Sequence, residues 1–297
     1  MKKIFLAAVG ILAFCTSKAQ NVGIGTTEPL ARLHAAEGNV LFSSRYGLPG
    51  NPAPPPAISS TGRFMMWYAD KAAFRAGFNS ESYMLNAENI GRLSFAFGQN
   101  VLAQGDYSFS MGLFNSVSGN YSVAMGKNNT VSGFAAVAFG NNTSAAGVNA
   151  VALGSFAVAS GNYSFAANRS TSAVSAYETV FGQYNTTYTP SSTTEWVPSD
   201  RLFVVGNGVS SSQRGNALTI FKNGNIGIST AIPNARLSVN GDASKSGGGV
   251  WAAWSDARLK KNITPYTSGL KEILRINPVR FQYNELSGEE DLNKNYV

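Results

Sequence analysis

A glycine that returns every fourteen residues dominates the chain between Gly91 and Tyr188. One series stands at positions 91, 105, 119, 133, 147 and 161, and a second at 98, 112, 126, 140, 154 and 182. Only Asn168 and Ser175 replace a glycine in these series. Between the two glycines lies a large-small-large apolar triplet, such as Val123-Ala-Met125. A short period repeated in register predicts a solenoid, here seven 14-residue coils of a mainly β chain.

The low charge of these coils excludes several functions. Only 13% of the whole chain is charged. The charged residues of the coils are Arg92, Asp106, Lys127, Arg169 and Glu178. A calcium-binding β-roll needs an Asp in nearly every repeat. A glycosidase needs two carboxylates flanking one bond, whereas Asp106 and Glu178 are separated by five coils, or about 25 Å. A nucleic-acid partner would need a basic stripe, which is absent. The neutral Asn/Ser/Thr surface leaves a glycan, a cell surface or ice open as ligands.

The apolar residues of the coils predict self-association. In the five triplets from Phe95 to Leu153 the first and third residues are large and the middle one is Ala or Ser. A 14-residue coil is too thin to enclose both large side chains, so a second apolar face must find a partner. We therefore expect a homotrimer or a similar parallel bundle.

Residues 1–19 are typical of a secretory signal peptide, with Lys2 and Lys3 before an apolar stretch and small residues at Ser17 and Ala19. The stretch of about eleven apolar residues is too short to span a membrane, which needs about twenty. Cleavage would lower the net charge from +7 to 7 − 3 = +4. It would also remove Cys15, the only cysteine. A secreted or cell-surface protein without an integral membrane span is expected.

Neither a metal centre nor a cofactor is predicted. Without Cys15 the chain has no thiolate ligand, and His34 is the only histidine. A histidine-rich metal site and a Ser-His-Asp triad are therefore excluded. Since His34 aligns with Ser238 in a second internal repeat, it is interpreted as an incidental strand residue.

That second repeat flanks the coils and divides the chain. Residues 21–34 and 225–238 share the pattern Asn-apolar-Gly-Ile, a Pro-containing turn and Ala-Arg-Leu. We expect six segments: the signal peptide 1–19, an N-terminal module 20–46, a Pro-rich linker with buried aromatic strands 47–90, the repeats 91–188, a second β module 189–246 and a short α+β segment 247–297.

The Gly-x-x-Ser-Val-Ala-x-Gly pattern, clearest at Gly119 to Gly126, resembles the head repeats of YadA-like trimeric autotransporter adhesins. The resemblance covers about a third of the chain and implies a left-handed parallel β-roll trimer. No coiled-coil stalk of that family is visible, so only the head repeats carry over.

The segment Ser255-Asp-Ala-Arg-Leu-Lys-Lys-Asn-Ile263 is similar to the opening of the endosialidase-type intramolecular chaperone of phage tail spikes and tail fibres. The resemblance implies trimer assembly followed by self-cleavage at Trp254–Ser255, with Ser255 as nucleophile and Lys260 as general base. Since residues five apart do not share a helix or strand face, a turn or a second subunit must join the two side chains. Residues 255–297 number 297 − 255 + 1 = 43. Because such domains are usually about twice as long, we expect a truncated or degenerate domain with impaired activity.

These observations favour a secreted, tail-fibre-like trimer with a structural or adhesive role and a C-terminal assembly chaperone. One alternative is that serine autoproteolysis, or hydrolysis of a polysaccharide by the repeats, is the main activity. A glycan- or ice-binding solenoid is the other.

Overall fold

The computed structural model describes residues 21–44, 47–55, 61–244, 246, 269, 273–277 and 279–282. The predicted signal peptide and the predicted site residues Trp254, Ser255 and Lys260 lie outside these ranges. The strands are β1 Val22–Ile24, β2 Leu33–Ala35, β3 Gly62–Tyr68, β4 Ala73–Asn79, β5 Phe95–Gln99, β6 Leu102–Ala103, β7 Phe109–Leu113, β8 Ser116–Val117, β9 Val123–Lys127, β10 Thr130–Val131, β11 Val137–Asn141, β12 Ser144–Ala145, β13 Val151–Ser155, β14 Val158–Ala159, β15 Phe165–Arg169, β16 Ser172–Ala173, β17 Thr179–Gln183, β18 Arg201–Asn207, β19 Asn216–Phe221, β20 Ile226–Ile228 and β21 Leu237–Val239. Short 3-10 turns lie at Ala69–Lys71, Ser82–Leu85 and Ala87–Asn89.

The fourteen-residue period is the spacing of strands in two stacked sheets. Each coil has a five-residue strand in a long sheet and, in six of the coils, a two-residue strand in a short sheet. Partners in neighbouring coils are fourteen residues apart, as in Val123 with Val137 and Thr130 with Ser144. All these pairings are parallel. The predicted parallel β-solenoid of seven coils is confirmed.

The long sheet continues beyond the coils at both ends. Its thirteen strands run in the order β3-β4-β5-β7-β9-β11-β13-β15-β17-β18-β19-β20-β21. At the amino-terminal end β4 pairs in parallel with β5, and β3 pairs antiparallel with β4. At the carboxyl-terminal end β18 is parallel to β17, and β19 is antiparallel to β18. Each end of the solenoid is thus closed by an antiparallel strand pair.

The interior of the coils holds small residues, and the large ones point outward. Ala124, Ala138 and Ala152, the middle residues of their triplets, are fully buried. Val131 and Asn129 fill the opposite side of the interior. The amide of Asn129 donates to Met125 O (3.0 Å) and Gly140 O (2.9 Å), so it satisfies turn carbonyls. The narrow coil has room for alanine, serine and valine, which is why the larger residues must face outward.

Close approach of neighbouring coils explains both glycine series. A Cβ on Gly119 would lie 2.0 Å from Gly133 O, and one on Gly126 would lie 2.1 Å from Gly140 O. Gly126 also has φ +118°, in the region that favours glycine. Asn168 stands where the second series would place a glycine, and its φ is 85°. At this point two pairs between β15 and β17 are missing, because only Phe165, Ala166 and Arg169 of β15 have a partner in β17.

Buried ionisable side chains close both ends of the interior. Arg75 pairs in register with Ala96 and is 2% exposed. Its guanidinium donates to Ser94 O (3.0 Å), Ser94 Oγ (2.7 Å) and Ala103 O (2.8 Å). Burial lowers the pKa of Arg75 to about 10. At the other end Glu178 takes the buried position that Ser164 fills one coil earlier. These groups saturate backbone atoms that a further coil would otherwise cover.

The two copies of the second repeat have the same structure. In the first, β1 and β2 pair in parallel, with Val22 opposite Leu33. In the second, β20 and β21 pair in parallel, with Ile226 opposite Leu237. Both residues of the second pair are 204 positions after those of the first, since 226 − 22 and 237 − 33 both equal 204. The repeated sequence therefore encodes one small parallel module.

The segment before β3 contacts the solenoid end. Ala53 N donates to Asp70 Oδ2 (2.8 Å), and the Tyr68 hydroxyl donates to Ala53 O. Arg92 Nη2 lies 3.4 Å from Pro49 O. Residues 47–55 belong to the segment expected as a Pro-rich linker, and these bonds tie them to the solenoid.

The aromatic stretch from Arg63 to Phe78 forms two strands, as predicted, but only half of it is buried. Met66 and Tyr68 are buried, whereas Met65 is 75% and Trp67 is 42% exposed. Strand alternation turns these two residues to the outer side of the long sheet. The expected burial is therefore found on one side of these two strands only.

A second compact unit, Ala243–Val297, follows the solenoid. Within it Ile273 N donates to Gly269 O (3.4 Å), a helical spacing. Most of the predicted helix and strand of this segment lie outside the described residues.

Candidate interaction surface

Two rows of outward side chains run along the long sheet. We call them the apolar face. They are the first and third residues of each triplet, brought into line by the parallel register. The first row is Phe95, Phe109, Val123, Val137, Val151, Phe165, Thr179 and Phe203, and the second is Phe97, Met111, Met125, Phe139, Leu153, Phe181 and Val205. The second row is interrupted at Ala167, which is 6% exposed. None of these residues is charged.

The apolar face is open to solvent in the single chain. Phe97 is 50% exposed, and Phe139 and Phe181 are 40% exposed. Ladder packing orders the rings without covering them: the rings of Phe95 and Phe109 stack with centroids 4.9 Å apart and planes inclined by 5°. Large exposed apolar patches are typical of interaction surfaces and ligand-binding grooves.

Polar groups border the apolar face. Lys127 and Arg169 stand two residues after the triplets and are exposed. On the opposite side, the outward positions of the short sheet include Ser116, Thr130 and Ser144. Leu102 and Val158 hold the same position in β6 and β14, so the short sheet is uncharged and mostly polar, whereas the long sheet carries the apolar face.

A row of aromatic side chains follows one turn of the coils. The rings of Tyr107 and Tyr121 stack at 4.7 Å and 4°, and those of Tyr163 and Tyr177 at 5.0 Å and 6°. Stacking closes the ring faces that each pair shares, and the four rings remain 40–52% exposed.

A buried serine–lysine pair occurs in the described residues, at a place that sequence reasoning did not identify. Lys222 Nζ donates to Ser175 Oγ (3.3 Å), and Ser175 Oγ donates to Arg201 O (2.9 Å). Burial lowers the pKa of Lys222. However, Ser175 is fully buried and its only proton is already directed to a carbonyl. The pair fixes β18 and β19 against the last coil and has no open substrate position.

The carboxylate of Glu178 completes this end of the solenoid. Its Oε2 accepts hydrogen bonds from Val174 N and Ser175 N (2.9 Å each) and from the Tyr188 hydroxyl (3.2 Å). Its Oε1 has no partner among the described residues. Burial raises the pKa of Glu178 above its ordinary value, and it raises that of Tyr188 as well. These contacts seal the last coil.

The described residues contain no cluster of three or more potential metal ligands. Within those same residues, no helix is long and apolar enough to cross a membrane.

The fold and the outward apolar rows define the class of the protein as a parallel β-solenoid with an apolar flank. Residues 103–129, 132–157 and 145–167 match the YadA head domain repeat. Residues 255–295 match the chaperone of endosialidase family. No curated protein and no solved structure matches the chain. The two matches on one mainly β chain agree with a tail-fibre-like protein that combines YadA-like head repeats with an endosialidase-type chaperone segment.

Sequence reasoning identified the residue types of the apolar face but not which sheet face carries them. The alternation of small and large residues contained that signal. Ala occupies the middle position in most coils, and only a small residue fits inside a coil this thin. The buried Glu178 was missed as an end cap; the signal was a carboxylate in a position held by Ser or Ala elsewhere.

Proposed function

We propose that this chain is a secreted or cell-surface fibre protein, structural or adhesive in role, that assembles as a homotrimer through the apolar face. The observation that carries the proposal is the pair of uncharged apolar rows left open on the long sheet. YadA head repeats and an endosialidase chaperone segment in one chain support a trimeric state.

Burial of the apolar face accounts for stable assembly. The eight strands from β5 to β18 are separated by seven spacings of about 4.8 Å, so the strip is about 34 Å long. Fully burying one Val, Leu, Met or Phe side chain contributes about 1.5–3 kcal/mol relative to leaving it exposed. Burying several such side chains per chain contributes more free energy than the entropic cost of association, which is roughly 4–15 kcal/mol. The polar short sheet remains outside, available to solvent or to a neutral ligand.

We further propose that residues 255–295 promote assembly and then detach. In this step Ser255 Oγ attacks the carbonyl carbon of Trp254, and Lys260 accepts the hydroxyl proton. The Trp254–Ser255 amide bond breaks, its nitrogen takes up a proton, and an ester links Trp254 to Ser255 Oγ. Water hydrolyses the ester and leaves a carboxylate on Trp254 and a free hydroxyl on Ser255. The motif match supports these roles.

The trimer is tested by analytical ultracentrifugation of the chain without residues 1–19. We expect three times the chain mass. Phe139→Glu, on the apolar face, should shift the chain toward monomer, because three charges would meet at one level. Thr130→Glu, on the short sheet, is the matched control and should leave the mass unchanged. A monomeric parent with an intact β spectrum would refute the proposal.

The cleavage is tested separately by intact mass and N-terminal sequencing. A fragment beginning at Ser255 is expected from the parent and from the control Ser268→Ala, in the low yield that an impaired domain would give. It should be absent from Ser255→Ala and Lys260→Ala. Equal cleavage of all four chains would contradict the assigned roles. An uncut trimer would leave the structural function in place and remove the autoprocessing step.

A further inference from the structure

The second copy of the duplicated module is built into the long sheet, whereas the first forms a two-stranded sheet. Gly227 of β20 pairs with Thr219 of β19 and is buried. Its counterpart Gly23 lies in the sheet of β1 and β2 and is exposed. Strands β19, β20 and β21 therefore carry the long sheet beyond β18, the last strand of the apolar face described above.

The two rows of the apolar face continue onto these three strands. Three further residues extend each row, and all six are apolar. The first row continues from Phe203 through Ile220, Ile226 and Leu237, and the second from Val205 through Leu218, Ile228 and Val239. At a strand spacing of about 4.8 Å they lengthen the strip by about 14 Å. The strands lie outside the residues that match the YadA head repeat, so the fourteen-residue period does not impose this pattern.

The added residues point outward and are open to solvent. Thr219, between Leu218 and Ile220, is fully buried, so strand alternation turns its two neighbours to the outer side of the sheet. On the next two strands Ile228 is 43% and Leu237 is 50% exposed. The described residues leave this end of the strip as open as they leave the coils.

The cations of this region are held off the strip. Arg201 and Lys222 are buried, with 3% and 9% of their surface exposed. Arg236 precedes Leu237, and its Nη1 donates to Asn223 O in the hairpin between β19 and β20. An unpaired charge is costly to bury in an interface, so a strip kept free of charge suits association.

We infer that β19, β20 and β21 belong to the interface between copies of this chain, so that the second module of each copy packs against those of the other two. The inference rests on the proposed homotrimer. In a closed symmetric trimer, equivalent residues of the copies lie at the same level along the axis. Because one unbroken sheet runs from the coils to β21, copies that meet along the coils also face one another at Ile228. The copies that cover the coils are therefore the occupants of this end as well.

The inference is tested by thiol labelling of trimers, since the chain without residues 1–19 has no cysteine. Ile228→Cys and Leu237→Cys place a probe in each row. Ile232→Cys is the matched control, because Ile232 lies in the turn between β20 and β21 and is 78% exposed. N-ethylmaleimide should react with both probes at least about tenfold more slowly than with the control, because a buried thiol is inert.

The same three cysteines in the Phe139→Glu background separate a partner copy from the chain's own residues. In those monomers both probes should react nearly as fast as Ile232→Cys. Slow labelling in both backgrounds would mean that the chain covers its own strip, and fast labelling in trimers would mean that the interface ends at β18. Either result overturns the inference and leaves the trimer standing. A monomeric parent, or a trimeric Phe139→Glu chain, would refute the proposed assembly and the inference together.

Charge substitution gives an independent measurement. Ile228→Glu should raise the concentration at which the trimer dissociates by about tenfold or more, because three like charges would meet in the interface. Ile232→Glu should leave it unchanged, since the first module carries Glu28 at the equivalent turn position (232 − 28 = 204). Equal effects of the two substitutions on sedimentation would overturn the inference.

Discussion

His34 and Ser238 make the same hydrogen bond in the two copies of the module. His34 Nδ1 accepts from Leu30 N at 3.2 Å, and Ser238 Oγ accepts from Asn234 N at 3.2 Å. Donors and acceptors are each 204 residues apart, since 234 − 30 and 238 − 34 both equal 204. The alignment of the only histidine with a serine therefore reflects a shared turn in which either side chain can supply the acceptor.

Replacing His34 should follow this equivalence. His34→Ser should leave the first module intact, whereas His34→Ala removes the acceptor and should cost about 0.5–1.5 kcal/mol locally. Hydrogen exchange of the peptide containing Leu30 measures the change. Equal protection in both variants would show that the bond does not stabilise the turn.

Gly126→Ala should destabilise the solenoid strongly. A Cβ would stand 2.1 Å from Gly140 O on a backbone with φ +118°. The added Cβ is fixed rigidly to the backbone of residue 126, and Gly140 O is itself a backbone atom, so the two coils must separate. We expect the free energy of unfolding to fall by more than about 4 kcal/mol, which is exceptional for one substitution. Chemical denaturation is the measurement. Gly50→Ala is the control, since nothing lies within 4 Å of its Cβ position; similar losses for both would contradict the packing argument.

Asn168→Gly should stabilise the chain by about 1 kcal/mol. The substitution removes a side chain from a left-handed backbone position, φ 85°, where glycine carries no steric cost. It should also allow the two missing pairs between β15 and β17 to form. A higher unfolding midpoint is expected, and an unchanged or lower one would mean that the asparagine itself supports the gap.

Ala138→Leu should be costlier than Val137→Leu. Ala138 is fully buried between Ala124 and Ala152, so added methylenes would overpack the interior by about 1–3 kcal/mol. Val137 points outward on the apolar face and has room for one more methylene. Thermal unfolding of the two variants should therefore differ. If both lose the same stability, the interior is wider than the register indicates.

Glu178 should make the stability depend on pH. Because burial raises its pKa in the folded state, the folded chain holds this proton more tightly than the unfolded chain. Its contribution is fully present below the ordinary carboxyl pKa of 4.5 and is lost as pH rises through the raised value. Glu178→Gln should flatten that part of the profile of unfolding midpoint against pH. The exposed Glu195→Gln should leave the profile unchanged, and a parent-like slope in Glu178→Gln would locate the pH dependence elsewhere.

The amino-acid sequence alone determined the solenoid, its fourteen-residue coil and the duplicated module. Glycine recurs where a Cβ atom would lie about 2 Å from a carbonyl oxygen of the next coil. Identical sequence segments form identical strand pairs, so the repeats predict the repeated pairing. The triplets also indicated that the coils carry more large apolar side chains than a thin coil can enclose. The segment expected from the sequence as a second β module, residues 189–246, contains the strands Arg201–Asn207 and Asn216–Phe221.

Only the tertiary structure decided which residues face where and how the ends are closed. Strand alternation gives two faces and does not name the inner one. The small middle residue of each triplet indicates the inner face only once the interior is known to be narrow, as it is around Ala124. The burial of Arg75 and Glu178, and the different pairing of Gly23 and Gly227, depend on residues far apart in the chain. Such long-range contacts produce no repeated pattern in the sequence, because each occurs only once, at an end of the stack of coils.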